Sequence, residues 1–182
     1  MSHLRNLTDA VDYSNLAAAE EFLRAGANPN QPDFMRQRPL EIALQMKNWP
    51  MAELLVQYGA DVNRNATFGS SYNSLLHDFI YSRNIGAVEF LLDHGARVNI
   101  QNDAGETPLH YAARVNDPNL VTLLLQHGAS RNRIIPNNQG QLPVDLARDP
   151  NIIQMLTPPP PPVAPVQQLP VGTWFTLPDL PM

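Results

Sequence analysis

Four apolar clusters punctuate the chain, and a glycine closes each one. Phe22-Leu23, Leu54-Leu55-Val56, Phe90-Leu91-Leu92 and Leu123-Leu124-Leu125 lead to Gly26, Gly59, Gly95 and Gly128. These glycines lie 33, 36 and 33 residues apart, and a leucine (Leu7, Leu40, Leu76, Leu109) stands 19 residues before each. Each glycine opens a related phrase: GANPN, GADVN, GARVN and GASRN. A fixed period of this size marks a repeat architecture. One unit cannot cover its own apolar face, so neighbours stack to bury it.

The fourth copy shows what a unit builds. Thr107 suits a helix cap and Pro108 the first helical position, where no amide donor is needed. Leu109, Ala112 and Ala113 give that helix a face of small residues. Asn116-Asp117-Pro118 breaks it and starts a second helix, in which Leu120, Leu123 and Leu124 recur at helical spacing. Gly128 then supplies a left-handed stop. Asn102-Asp103-Ala104-Gly105 reads as a tight turn. The pattern therefore predicts helix, turn, helix, then an extended segment and a turn, over and over.

Gly105-Glu106-Thr107-Pro108-Leu109-His110-Tyr111-Ala112-Ala113, followed by Leu123-Leu124-Leu125-Gln126-His127-Gly128-Ala129, resembles an ankyrin repeat. The resemblance covers roughly residues 4–156. It implies an all-α ankyrin-repeat solenoid of about five helix-turn-helix repeats with short β-turn hairpin loops. The units fall at about 4–30, 36–65, 72–101, 105–134 and 140–156, within a domain of residues 1–156. Departures stand out. In the second copy Arg36 and Arg38 replace the turn glycine and the capping threonine. The third has Ser74-Leu75 for Thr-Pro, Phe79-Ile80 for the small pair, and three extra residues within 66–72. Larger residues on that helix imply a locally wider stack. The first and fifth copies read as caps, the fifth with a short second helix near Asn151–Leu156.

The same resemblance implies a function and places its surface. Repeats of this kind bind partners through turn tips and the exposed side of each first helix, on a concave face. Carried onto this chain, those positions are Phe34, Met35, Gln37, Gln45 and Met46 in the second copy. The third supplies Phe68, Ser70, Tyr72 and Tyr81, and the fourth Asp103, Glu106 and Arg114. Aromatic residues and methionine are enriched in interfaces, and turn tips are otherwise polar. Phe68 and Tyr72 fit local packing of the enlarged third turn equally well. The implied role is non-catalytic protein binding, as an adaptor, scaffold or inhibitor. The alternative is an ankyrin-type effector that an intracellular bacterium delivers into host cytoplasm to act on a host protein. His77 and His110 occupy a framework position in the resemblance. Asn63, in Asp61-Val62-Asn63, matches a pattern open to asparagine hydroxylation, against the simpler reading that it caps its turn.

Composition narrows the chemistry. A length of 182 residues favours one domain plus a tail. The absence of cysteine excludes disulfides, a thiol nucleophile and thiolate zinc sites. A net charge of −5 argues against nucleic acid as a partner. The amino terminus lacks a signal-like pattern, and no apolar run could span a bilayer, so a cytoplasmic protein without a membrane partner is expected. Lys47 is the sole lysine against 11 arginines, a bias that fits codon usage or selection against ubiquitin attachment. No phosphate loop, Gly-x-Ser-x-Gly elbow or His-Glu-x-x-His occurs. Four of the five histidines recur by repeat position, which favours structure over metal ligation; His94 and His127 each precede a helix-ending glycine, where a cation suits the helix dipole. No catalytic residue, metal or cofactor is assigned.

Residues 157–182 are a different material. They hold nine of the 18 prolines and one charge, Asp179. Pro158–Pro162 cannot continue a helix and should favour the polyproline form. Trp174, Phe175, Leu177 and Leu180 are anchor-type residues. Three readings stay open for this proline-rich tail. It is a plain extension; or Trp174 and Phe175 dock back onto the stack; or it is a docking peptide that adds a second contact to a partner. For the last, a proline-recognition domain of the SH3, WW or EVH1 kind is the natural class.

Overall fold

The leucine that opens each unit lies in one continuous seam. In the computed structural model, which describes residues 4–64 and 73–158, Leu7, Leu40, Leu76 and Leu109 are all buried. Each such side chain contributes about 1.5–3 kcal/mol by leaving water. The seam runs between pairs of antiparallel helices. These are α1 (Leu7–Asp12) with α2 (Leu16–Arg24), α3 (Pro39–Gln45) with α4 (Trp49–Gln57), α5 (Leu75–Tyr81) with α6 (Ile85–Asp93), and α7 (Pro108–Val115) with α8 (Pro118–Gln126). A 3-10 segment, Ala129–Ile134, leads to a 3-10 turn, Pro143–Leu146, and the final helix α9 (Pro150–Leu156). No β-sheet forms among the described residues.

Local chemistry sets the ends of these elements. Asn15, Asn48, Asn84 and Asp117 cap the second helices, each side chain accepting from a backbone amide of the first turn. The residue before each cap, namely Ser14, Lys47, Arg83 and Asn116, is left-handed, with φ between 53° and 57°. This single reversed residue turns the first helix into the second. Gly26, Gly59, Gly95 and Gly128 stop the second helices at φ of 83–94°. A Cβ there would meet nothing within 4 Å, so backbone conformation alone selects glycine.

In the fifth unit the expected first helix is only the 3-10 turn Pro143–Leu146. Pro143 and Pro150 bracket it, and the residue before a proline avoids the helical region. Asp149 accordingly sits at φ −77°, ψ 127°, and one turn is all the interval holds. The unit still closes the stack, since Ile152 and Leu156 are fully buried.

Neighbouring units pack through like helices: α1 on α3, α2 on α4, α5 on α7, α6 on α8, and α8 on α9. The junction between the second and third units is the exception. There α3 and α5, and α4 and α6, approach less closely than their counterparts elsewhere. The position filled by Ala10, Ala43 and Ala112 in other units holds Phe79, which is 5% exposed. A buried ring in place of a methyl group demands room, and the two units stand apart to supply it.

Candidate functional site

Two surfaces emerge from the repeat: an internal polar frame and an exposed row of apolar tips. The frame begins at the first-helix caps. Ser74 donates to His77 Nδ1 through its amide (3.2 Å) and its hydroxyl (2.8 Å), while His77 Nε2 donates to the Glu106 carbonyl at 3.0 Å. One unit later, Thr107 engages His110 Nδ1 in the same way, and His110 Nε2 donates to the Gln141 carbonyl at 3.1 Å. An imidazole that accepts at Nδ1 and donates at Nε2 is neutral. Burial pushes His77 down to about 4, only partly opposed by its bond to the Glu106 carbonyl. Burial lowers His110 as well. These histidines join each unit to the backbone of the next.

Glu106 belongs to the same frame, which corrects its assignment to the partner face. It is only 6% exposed. Arg114 forms a two-pronged ion pair with its carboxylate, and Asn137 Nδ2 donates to it at 3.3 Å. Burial alone would raise the carboxyl; the bonds and charge of Arg114 outweigh it and hold it below the usual range. The guanidinium also lies 5.4 Å from the centre of the Tyr111 ring. The equivalent pair two units earlier is uncharged, with Gln37 Nε2 donating to Gln45 Oε1 at 3.3 Å. At these positions a turn residue braces the end of its own first helix.

Asn63 is a brace between units. Its amide donates to the Gly95 carbonyl at 3.3 Å and its Oδ1 accepts from the Arg97 amide at 2.7 Å. Asn30 does the same for the Gly59 carbonyl and the Asp61 amide. His94 and His127 stand at the ends of α6 and α8. His94 Nε2 lies 2.9 Å from Glu53, and His127 Nε2 lies 3.8 Å from Asp93, so each faces a carboxylate of the preceding unit. Among the described residues no three histidine or acidic side chains converge to hold a metal ion.

The exposed row starts at the second turn. Asp33 Oδ1 accepts from the Gln37 amide at 2.7 Å, and the Asp33 amide donates to the Gln37 carbonyl at 2.8 Å. Asn102 closes its turn alike, with its amide donating to the Glu106 carbonyl and its Oδ1 accepting from the amides of Ala104 and Glu106. Arg36 fills the left-handed place (φ 67°) that Gly105 fills at φ 72°. This clamp thrusts Phe34 and Met35 outward, 94% and 58% exposed. Tyr81, the last residue of α5, and Met46, capping α3, are exposed as well, at 69% and 48%. Asp103 is exposed at the fourth tip, where its carbonyl accepts from Asn138 Nδ2 at 2.8 Å. Phe68, Ser70 and Tyr72, and the tail residues Trp174 and Phe175, lie outside the described residues.

Comparison with known proteins places this arrangement. A family model for ankyrin repeats, three copies, matches residues 69–159, and the chain belongs to the ankyrin repeat family. A putative ankyrin repeat protein of fowlpox virus, FPV031, is 33% identical over 160 residues, covering 84% of this chain and 43% of that protein. The putative palmitoyltransferase ZDHHC13 of Danio rerio is 34% identical over 121 residues, 66% of this chain and 18% of that protein. Human neurogenic locus notch homolog protein 1 is 30% identical over 141 residues, 76% of this chain and 5% of that protein. The chain thus spans less than half the length of each of these relatives. Ankyrin repeats are generally protein–protein interaction modules without enzymatic activity. No helix among the described residues is long and apolar enough to cross a membrane.

Proposed function

We propose that this chain is a non-catalytic binding module whose partner is another protein, gripped by the turn tips and the exposed ends of the first helices. The observation that carries this reading is Phe34. A phenyl ring almost wholly in water, on a turn clamped by Asp33 and a left-handed Arg36, gains nothing for the fold. Such a ring is an anchor awaiting a pocket. Met35, Met46 and Tyr81 extend the apolar surface, and Gln37, Gln45, Asp103 and Arg114 supply its polar rim. Because the tips are already ordered, little conformational entropy is lost on binding.

The test is a full-length chain carrying Phe34→Ala, Met35→Ala and Tyr81→Ala together. Affinity enrichment from the native host should lose its specific partner by at least about tenfold, since interface anchors cost about 2 kcal/mol or more apiece. The thermal midpoint should stay unchanged, because all three side chains are exposed. An undiminished partner would refute this surface, and a lowered midpoint would show that the residues serve the fold.

A further inference from the structure

The looser junction between the second and third units leaves a cleft of about 570 Å³ on the helix-turn-helix side of the stack. Trp49, Phe79 and Ile85 give it an apolar lining, and Gln45, Lys47 and Arg83 stand around them. Trp49 and Ile85 remain more than a third exposed. The wall depends on Gly86: a Cβ there would lie 3.0 Å from the Trp49 ring, so glycine lets the indole reach across to the next unit. The ring stacks at 6.2 Å on Phe90 from that unit. This is an aromatic surface held in place from behind and open in front.

Its charge is one-sided. Lys47 and Arg83 are exposed in the left-handed turn positions, Arg83 with one guanidinium nitrogen donating to the Val115 carbonyl, and no carboxylate is among the lining residues, although the chain carries a net charge of −5. Such a lining favours an occupant that is apolar, aromatic and weakly acidic. One segment of the chain outside the described residues has that character. Residues 173–180 contain Trp174, Phe175, Leu177 and Leu180, with Asp179 as the sole charge of residues 157–182. The distance can be covered. From α9 to the cleft is about three helix spacings of about 10 Å, plus the length of one helix, about 14 Å. The 17 residues 157–173 can span about 50 Å in a polyproline extension.

We propose that the cleft between the second and third repeats is the docking site of the chain's own segment 173–180, with Trp174 and Phe175 against Trp49 and Ile85 and Asp179 between Lys47 and Arg83. A tethered segment meets its site at an effective concentration near millimolar, so modest contacts suffice. The tail is thereby assigned to its own stack, not to a proline-recognition domain.

The chain has no cysteine, so Pro181→Cys in the full-length protein accepts a single nitroxide label. Amide signals of residues 47–49 and 83–86 should fall to less than half their intensity, with the loss fading toward both ends of the stack. Lys47→Glu with Arg83→Glu should abolish the broadening, and adding Asp179→Arg should restore it, which guards against a variant that merely misfolds. A mixture of labelled chains with isotope-enriched, unlabelled chains should show none. Broadening in that mixture would mean a second copy supplies the segment and would overturn the proposal. So would broadening that is absent, uniform, centred on Phe34–Gln37, or indifferent to the charge reversals.

Discussion

His77 shows how a single side chain couples a repeat protein to pH. Folded, it is held neutral down to about pH 4; unfolded, it would take a proton near 6.5. Between those values the unfolded chain binds more protons, so stability must fall as pH drops from about 6.5 to about 4. The loss from this residue is at most about 3 kcal/mol. The lowered His110 and Glu106 act in the same direction, and Asp78, raised by burial, opposes them. Urea melts across that interval should show the decline, and His77→Gln should flatten it. An equally steep decline in the variant would contradict the assignment. Arg36 offers a test of the opposite sign. A left-handed non-glycine residue costs about 1–2 kcal/mol, and glycine returns about 0.5–1 of that through unfolded-chain entropy. Arg36→Gly should therefore stabilise the protein by about 0.5–1 kcal/mol in a denaturant titration while leaving Phe34 and Met35 in place.

Among the elements, the helix-ending glycines and the turn glycines are not equivalent. Gly128 is left-handed in open space, so Gly128→Ala should cost about 1–2 kcal/mol from backbone strain alone. Gly105 is left-handed too, but a Cβ there would fall 2.4 Å from Asn138 Oδ1 and 2.9 Å from the Asn138 amide. That amide donates to the Ala104 carbonyl at 2.9 Å, so the clash disturbs the contact between successive turns. Gly105→Ala should thus be the more damaging of the two by chemical denaturation; equal losses would show that the turns yield freely. The helix pairs and their glycine stops were legible from apolar spacing, because both are local. The burial of Glu106 was not. It depends on Arg114, eight residues on in the last turn of α7, and on Asn137, contributed by the next unit. The reduced first helix of the last unit could have been foreseen from Pro143 and Pro150 alone.

For the whole molecule, stability is a sum of units and the junctions between them. The junction held open by Phe79 is the weak one, with α3 and α4 set away from α5 and α6. The ties across it are mostly side-chain ties: Trp49 on Phe90, Glu53 with His94, Asn63 on Gly95 and Arg97, and Asn84 Nδ2 donating to the Leu44 carbonyl at 3.4 Å, with the Leu75 amide donating to the Arg64 carbonyl. Hydrogen exchange should therefore show α1–α4 opening at a lower free energy than α5–α8. Uniform protection along the stack would mean that the junction transmits packing as well as the others do.

From its letters alone the chain declared a period, the two helices of each unit, the stops between them and the family they resemble. These follow from spacing within about 33 residues, where apolar rhythm and cap chemistry act on near neighbours. The larger Phe79-Ile80 pair also marked where the stack widens, whereas only the assembled stack decided which polar groups are buried. Glu106 is enclosed because Asn137 of the next unit meets it there, and a single large ring at Phe79 sets the gap that a repeat of small residues would have closed.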